Sequence, residues 1–115
     1  MIVDHSLYAR LVLRDMLVSH GYSVAAEVNS GREAVAAFAK ARPDLVIVDA
    51  VMPDMDGVAT TRELKREYPD AVVIITASRG QRSAVTEGIS AGAADFIVKP
   101  YAHKRVIQII RKTIG

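Results

Sequence analysis

The chain has 115 residues, half of them hydrophobic and 24% charged, with a formal net charge of +2, the composition of one soluble globular domain spanning residues 1–115. It has no cysteine, which excludes disulfides, thiolate metal sites and cysteine nucleophiles. No apolar run approaches the ~18 residues that span a bilayer and no signal-peptide layout opens the chain, which fits a cytoplasmic protein without a membrane partner.

In chain order, Ile2-Val3 is a short apolar fragment. LYARLVLRDMLVSHG places Leu7 and Leu11, then Leu13 and Leu17, at helical spacing and stops at Gly21. YSVAAEV reads as a short strand. SGREAVAAFAKARP opens with Ser30 and Glu33 in capping-box spacing, sets Val35 and Phe38 on one face, and is stopped by Pro43. LVIV, residues 45–48, is a continuous run of branched side chains, as expected of a central strand covered on both faces. VATTRELKREY is a helix ended by Pro69, and AVVIITA a second buried strand. QRSAVTEGISAG is a weaker helix with Gly88 inside and Gly92 at its end. DFIV is the last strand. HKRVIQIIRKTI is the last helix, with Val106, Ile107, Ile110 and Ile114 expected to face inward. Its basic residues Lys104, Arg105, Arg111 and Lys112 read as a solvated face; a nucleic-acid surface would need a denser stripe with aromatics.

Strand-like runs alternating with helices imply an α/β fold with a parallel sheet covered on both faces. Right-handed crossovers bring the carboxyl ends of all strands to one edge, where ligands bind in such sheets. The residues just past each apolar run then become neighbours: Asp4 and His5, Asp49, Thr76 with Ala77 and Ser78, and Lys99 with Pro100. Singly, each is weak, because an acid at a strand end is commonly a turn former. Together, acid, acid, hydroxyl and lysine suit phosphoryl transfer to a carboxylate. An aspartate can form an acyl phosphate, and two anions must be brought together, so charge neutralisation supplies much of the catalysis.

The same residues carry a resemblance. IVDHS with Arg10 resembles the VDDS opening of response-regulator receiver domains, the chemotaxis-regulator type of two-component signalling. PDLVIVDAVMPDMDG resembles their phosphoacceptor stretch, and AGAADFIVKPY their lysine–proline segment, in the correct order and spacing. The resemblance covers essentially the whole chain. It implies a doubly wound, five-stranded parallel sheet with five helices, in flavodoxin-like topology. It implies a histidine kinase, a phosphotransfer protein or a small acyl phosphate as donor to Asp49, and Lys99 as the cation pairing with the phosphoryl group before a cis bond to Pro100. Mg²⁺ would be held by Asp49, by the pair Asp4 and His5, and by the carbonyl of Val51. A Thr or Ser after the fourth strand would move on phosphorylation, together with an aromatic, Phe96 first and Tyr101 second. A downstream output protein or domain would read the surface of the fourth helix, fifth strand and fifth helix. The domain would be an enzyme only in modifying itself.

Two positions depart from the family pattern. His5 occupies the second place of the acid pair, and its spacings to Arg10 and Asp49 support that register. Imidazole is a poor ligand for Mg²⁺. Three readings stay open: a looser Mg²⁺ site on Asp4 and Asp49, a site for a transition ion, or a protein-interaction module with an impaired site. The second departure is at the switch. Ungapped counting places Ala77 where the family has a hydroxyl; strand alternation argues against Thr76 and leaves Ser78 as the freer candidate. Asp56 with Gly57 reads as turn and helix-cap chemistry, His20 as a helix-end residue, His103 as a cap-region residue, and the methionines as packing. A phosphatase-like hydrolase would need a second acid two residues after the nucleophile, where Val51 stands.

Overall fold

The computed structural model describes all 115 residues. The strands are β1 (Ile2–Val3), β2 (Glu27–Val28), β3 (Val46–Asp49), β4 (Val73–Ser78) and β5 (Asp95–Lys99), and the helices α1 (Leu7–Ser19), α2 (Gly31–Ala41), α3 (Gly57–Glu67), α4 (Arg82–Ser90) and α5 (His103–Ile114). All strand pairs are parallel, in the order β2-β1-β3-β4-β5. This is the parallel sheet covered on both faces that the alternating pattern predicts, in the flavodoxin-like strand order that the resemblance implies. Only Glu27 and Val28 of the expected strand YSVAAEV form ladder pairs; the small, weakly β-forming Ala25 and Ala26 lie outside it.

Helix starts follow local chemistry. Ser6, Ser30 and Asp56 are the N-caps of α1, α2 and α3, and each side chain accepts a backbone N–H from three residues on. α2 ends where Arg42 turns left-handed (φ 44°) ahead of Pro43. α4 and α5 start without a side-chain cap, in line with the weaker helical pattern of the fourth.

Strand alternation divides the core into two layers. Val3, Val46, Val48, Val73, Ile75 and Ala77 pack with Ala34, Phe38 and Leu64 beneath α2 and α3, with Ala84 and Val85 of α4 alongside. Ile2, Ile47, Ile74 and Ile97 face the other way, against Leu13 and Leu17 of α1 and Val106, Ile109 and Ile110 of α5. Each such side chain removed from water contributes roughly 1.5–3 kcal/mol. Leu7 and Leu11 share the helical spacing of α1 but not its buried face; they are 59% and 47% exposed. Ile114 is only half-buried, at the end of α5.

Candidate functional site

The isoleucine layer positions the site. Two residues beyond Ile2, Ile47, Ile74 and Ile97 stand Asp4, Asp49, Thr76 and Lys99. Because alternation returns every second side chain to the same face, these four rise from one side of the sheet at its carboxyl edge, forming a polar row above an apolar one. The ladder sets Asp49 level with Thr76, and Lys99 level with Ser78, two residues further toward the carboxyl edge.

Their contacts are direct. The Lys99 ammonium lies 2.8 Å from Asp4 Oδ2 and 3.3 Å from Asp49 Oδ1. The Thr76 hydroxyl donates to the same Asp49 oxygen at 3.3 Å. Asp4 Oδ1 accepts the Ser6 N–H at 2.9 Å, and Arg10 donates to the Asp4 main-chain carbonyl at 2.6 Å, fixing the turn into α1. Burial and then the charge of Asp4 push the Asp49 carboxyl above its ordinary range; Lys99 and the Thr76 hydroxyl pull it back only partly. Burial alone would lower Lys99, but its hydrogen bond to Asp4 and the charges of Tyr101, Asp49 and Asp4 outweigh that and raise it. The Lys99–Pro100 peptide bond is cis.

An open cleft in front of this row is lined by Asp4, His5, Asp49, Val51, Pro53 and Lys99. A larger groove at the opposite end of the sheet, around Leu17, Tyr22, Leu45 and Ile110, gathers no such acid–lysine set. His5 is exposed on the lip of the cleft and Val51 is 55% exposed.

The structure places all three switch candidates. Ala77 is 1% exposed and points into the opposite core layer. Ser78 is still within β4, on the surface, with its N–H held by the Gln81 side chain. Thr76, 1% exposed, is the hydroxyl that meets Asp49. Thr76 and Ala77 face opposite sides of the sheet, as strand alternation requires, and the pairing of Asp49 with Thr76 puts the Thr76 side on the site. Of the two aromatics, Tyr101 is packed against the isoleucine layer, its phenol raised by burial and moderated by Lys99 and Thr76. Phe96 is 39% exposed on the α4 side of the sheet.

Two further residues shape the site. Gly57 opens α3 against the end of β3: a Cβ there would lie 2.2 Å from the Asp49 carbonyl oxygen. Asp54 accepts the N–H groups of Gly31 and Arg32, tying the β3–α3 loop to the start of α2. The sequence signal for the first was the DG pair. The partner of Asp54 is distant in sequence, and no local pattern announces it.

Residues 1–111 match the family model described as "Response regulator receiver domain". The chain is a response-regulator receiver domain. The receiver is 41% identical to the chemotaxis protein CheY of Bacillus subtilis, over all of this chain and 96% of that protein. It is 40% identical to CheY of Thermotoga maritima, over 97% and 93%. The crystal structure of the receiver domain of NtrX from Brucella abortus superposes with a TM-score of 0.93 at 26% identity, over 98% of this chain and 95% of that one. No helix of the receiver is long and apolar enough to cross a membrane.

Receiver domains generally bind Mg²⁺ at the phosphorylation site. The donor set of this receiver does not fit that ion. Both oxygens of Asp4 are engaged, by Ser6 and Lys99, and its side chain is only 4% exposed. Asp49 Oδ1 is shared by Lys99 and Thr76. No third His, Asp or Glu side chain converges on Asp4 and Asp49, and His5, in the second place of the acid pair, offers imidazole where Mg²⁺ prefers a hard oxygen. Asp49 Oδ2 alone is uncommitted.

Proposed function

We propose that this receiver accepts a phosphoryl group on Asp49 from a histidine kinase, a phosphotransfer protein or a small acyl phosphate, and signals through the surface of α4, β5 and α5. The observation that carries the reading is the state of Asp49. Its carboxylate lines the cleft, one oxygen is anchored by Lys99 and Thr76, and the other accepts no hydrogen bond. In the transfer, Oδ2 attacks phosphorus as the bond to the leaving oxygen or nitrogen breaks, and the electron pair departs with the donor's carboxylate or imidazole. Lys99 offsets the repulsion between the anions. A unit charge ~4 Å away contributes about 4 kcal/mol at an effective dielectric near 20, or roughly a thousandfold in rate. Hydrolysis of the acyl phosphate restores Asp49, so the only substrate acted upon is the chain itself.

The Thr76 hydroxyl, freed from Asp49 Oδ1, is placed to donate to the new phosphoryl oxygens. Motion there reaches β5 through the paired strands, and β5 carries Phe96 and Val98, which with Ile89 of α4 are exposed apolar side chains (39%, 42% and 44%). An output partner would bury them. The test is intact mass after incubation with acetyl phosphate, with Asp49→Asn as control. A single phosphoryl gain that requires Asp49 is the expected result. A folded sample without any gain would move the domain to the interaction-module reading.

A further inference from the structure

The mismatch between this cleft and Mg²⁺ has a positive counterpart. Lys99 lies between the two carboxylates, in contact with both. It commits one oxygen of each, and Ser6 commits the second oxygen of Asp4. The position where a third carboxylate would add charge holds His5, exposed at the lip of the cleft. Asp4, Asp49 and Lys99 sum to a single negative charge, which is a weak attraction for a divalent ion. One unit of negative charge ~4 Å from a divalent ion changes its affinity by about thirtyfold even at the dielectric of water, and imidazole does not replace that charge or the hard oxygen.

We infer that Lys99 is the resident cation of this cleft in place of Mg²⁺, and that phosphoryl uptake on Asp49 requires no divalent ion. The second half rests on Asp49 being the acceptor; the first stands without it. Lys99 is suited to both parts. It is anchored by Asp4, so it stays in the cleft when Asp49 changes charge, and its 3.3 Å contact to Asp49 leaves it beside the arriving phosphoryl oxygens. The chemistry balances without a metal. The phosphoryl group moves from donor to Asp49 Oδ2, the donor leaves with its electron pair, and Lys99 keeps its proton throughout.

The test has two readouts. Calorimetric titration with MgCl₂ compares the wild-type chain, His5→Asp and Lys99→Ala. His5→Asp restores a third carboxylate at an exposed position and is expected to bind Mg²⁺ at least about tenfold more tightly than wild type. Lys99→Ala, which releases both carboxylates, is expected to gain affinity as well. Intact mass then follows uptake from acetyl phosphate in excess EDTA and in Mg²⁺. Wild type is expected to gain a phosphoryl group at a rate within about threefold in the two conditions, whereas His5→Asp becomes Mg²⁺-dependent. Wild-type Mg²⁺ binding as tight as that of His5→Asp would overturn the resident-cation assignment. Uptake that occurs in Mg²⁺ but stops in EDTA would overturn metal-free transfer while leaving Asp49 as acceptor. No uptake in either condition overturns both metal-free transfer and the proposed acceptor role, and the titration still decides which cation the cleft holds.

Discussion

Asp49 and Thr76 are direct partners in the β3–β4 ladder, and the Thr76 hydroxyl donates to Asp49 Oδ1 at 3.3 Å. In a parallel pair, residues level with one another present side chains to the same face, so this contact is a consequence of register. It makes Thr76 the hydroxyl expected to register a change of charge on Asp49. Thr76→Val keeps the shape and the strand preference but removes the donor. The variant should fold with a stability loss of about 1 kcal/mol and should still take up a phosphoryl group. Its amide chemical-shift changes at Phe96 and Val98 on phosphorylation should shrink well below those of wild type. A full-sized response in Thr76→Val, with loss of response in Ser78→Ala, would return the switch to Ser78.

The glycines of α3 and α4 make contrasting predictions. A Cβ on Gly57 would meet backbone, the Asp49 carbonyl at 2.2 Å and the Ala50 Cα at 2.8 Å. A Cβ on Gly88 would meet the Ile75 Cδ1 at 2.1 Å, the far end of a flexible side chain. Gly57→Ala should therefore cost roughly 1–3 kcal/mol or more and also slow phosphoryl uptake, because the strain is placed on Asp49 itself. Gly88→Ala should be the milder of the two, since Ile75 has a rotamer to give and alanine favours the helix. Equal thermal shifts, or unchanged uptake in a folded Gly57→Ala, would count against a direct packing link between α3 and the acceptor.

The raised carboxyl of Asp49 predicts a pH-dependent stability. A carboxyl whose pKa is higher in the folded chain than the ordinary 3.8 is penalised when ionised, so folding is weakened as pH rises through that window and stays weakened above it. Asp49→Asn removes the charge while keeping an acceptor for Thr76 and Lys99. It should melt a few degrees above wild type at pH 7, and the difference should narrow as pH falls toward 4. A variant that melts lower at pH 7 would mean that the ion pair with Lys99 outweighs desolvation.

How much of this was legible beforehand depends on the range of the interaction that sets each feature. The apolar runs at residues 45–48 and 71–77 and the capped helices identify a parallel α/β sheet from local pattern, and the parallel sheet in turn gathers Asp4, Asp49, Thr76 and Lys99 at one edge. The phase of the fourth strand was not legible. It depends on which residue of β4 lies level with Asp49, and the connection between them, through α3, is free to vary by a residue or two. Ungapped counting reaches Ala77, whereas the residue level with Asp49 is Thr76. The exposure of Leu7 and Leu11 escaped for a related reason: helical spacing shows that residues share a stripe, but Leu13 and Leu17 own the stripe that the sheet covers. The commitment of both Asp4 oxygens was also beyond reach, because Lys99 lies at the far end of the chain.

Asp54 is the other long-range contact that sequence did not announce, and it carries the last prediction. Its two carboxylate oxygens accept the Gly31 and Arg32 N–H groups at 3.3 and 3.1 Å. These are donors that the first turn of α2 leaves without helical partners. Hydrogen bonds from the Met55 and Arg32 amides chiefly hold its carboxyl well below the usual range, so the ionised form is favoured in the folded chain. For a depressed carboxyl the sign is opposite to that of Asp49: the stabilisation is present above the unfolded value of 3.8 and is lost as pH falls below it. Asp54→Ala should therefore lower the melting temperature at pH 6, with the deficit closing as the pH is taken toward 2. Amide exchange at Gly31 and Arg32 should accelerate in the same variant, while exchange in β3 stays unchanged, because the tether joins the loop after β3 to α2 and bears no ladder bond. A deficit that persists unchanged at low pH would show that Asp54 acts through packing or loop conformation and not through its charge. Unchanged exchange at Arg32 would show that the contact is too weak in solution to order the start of α2.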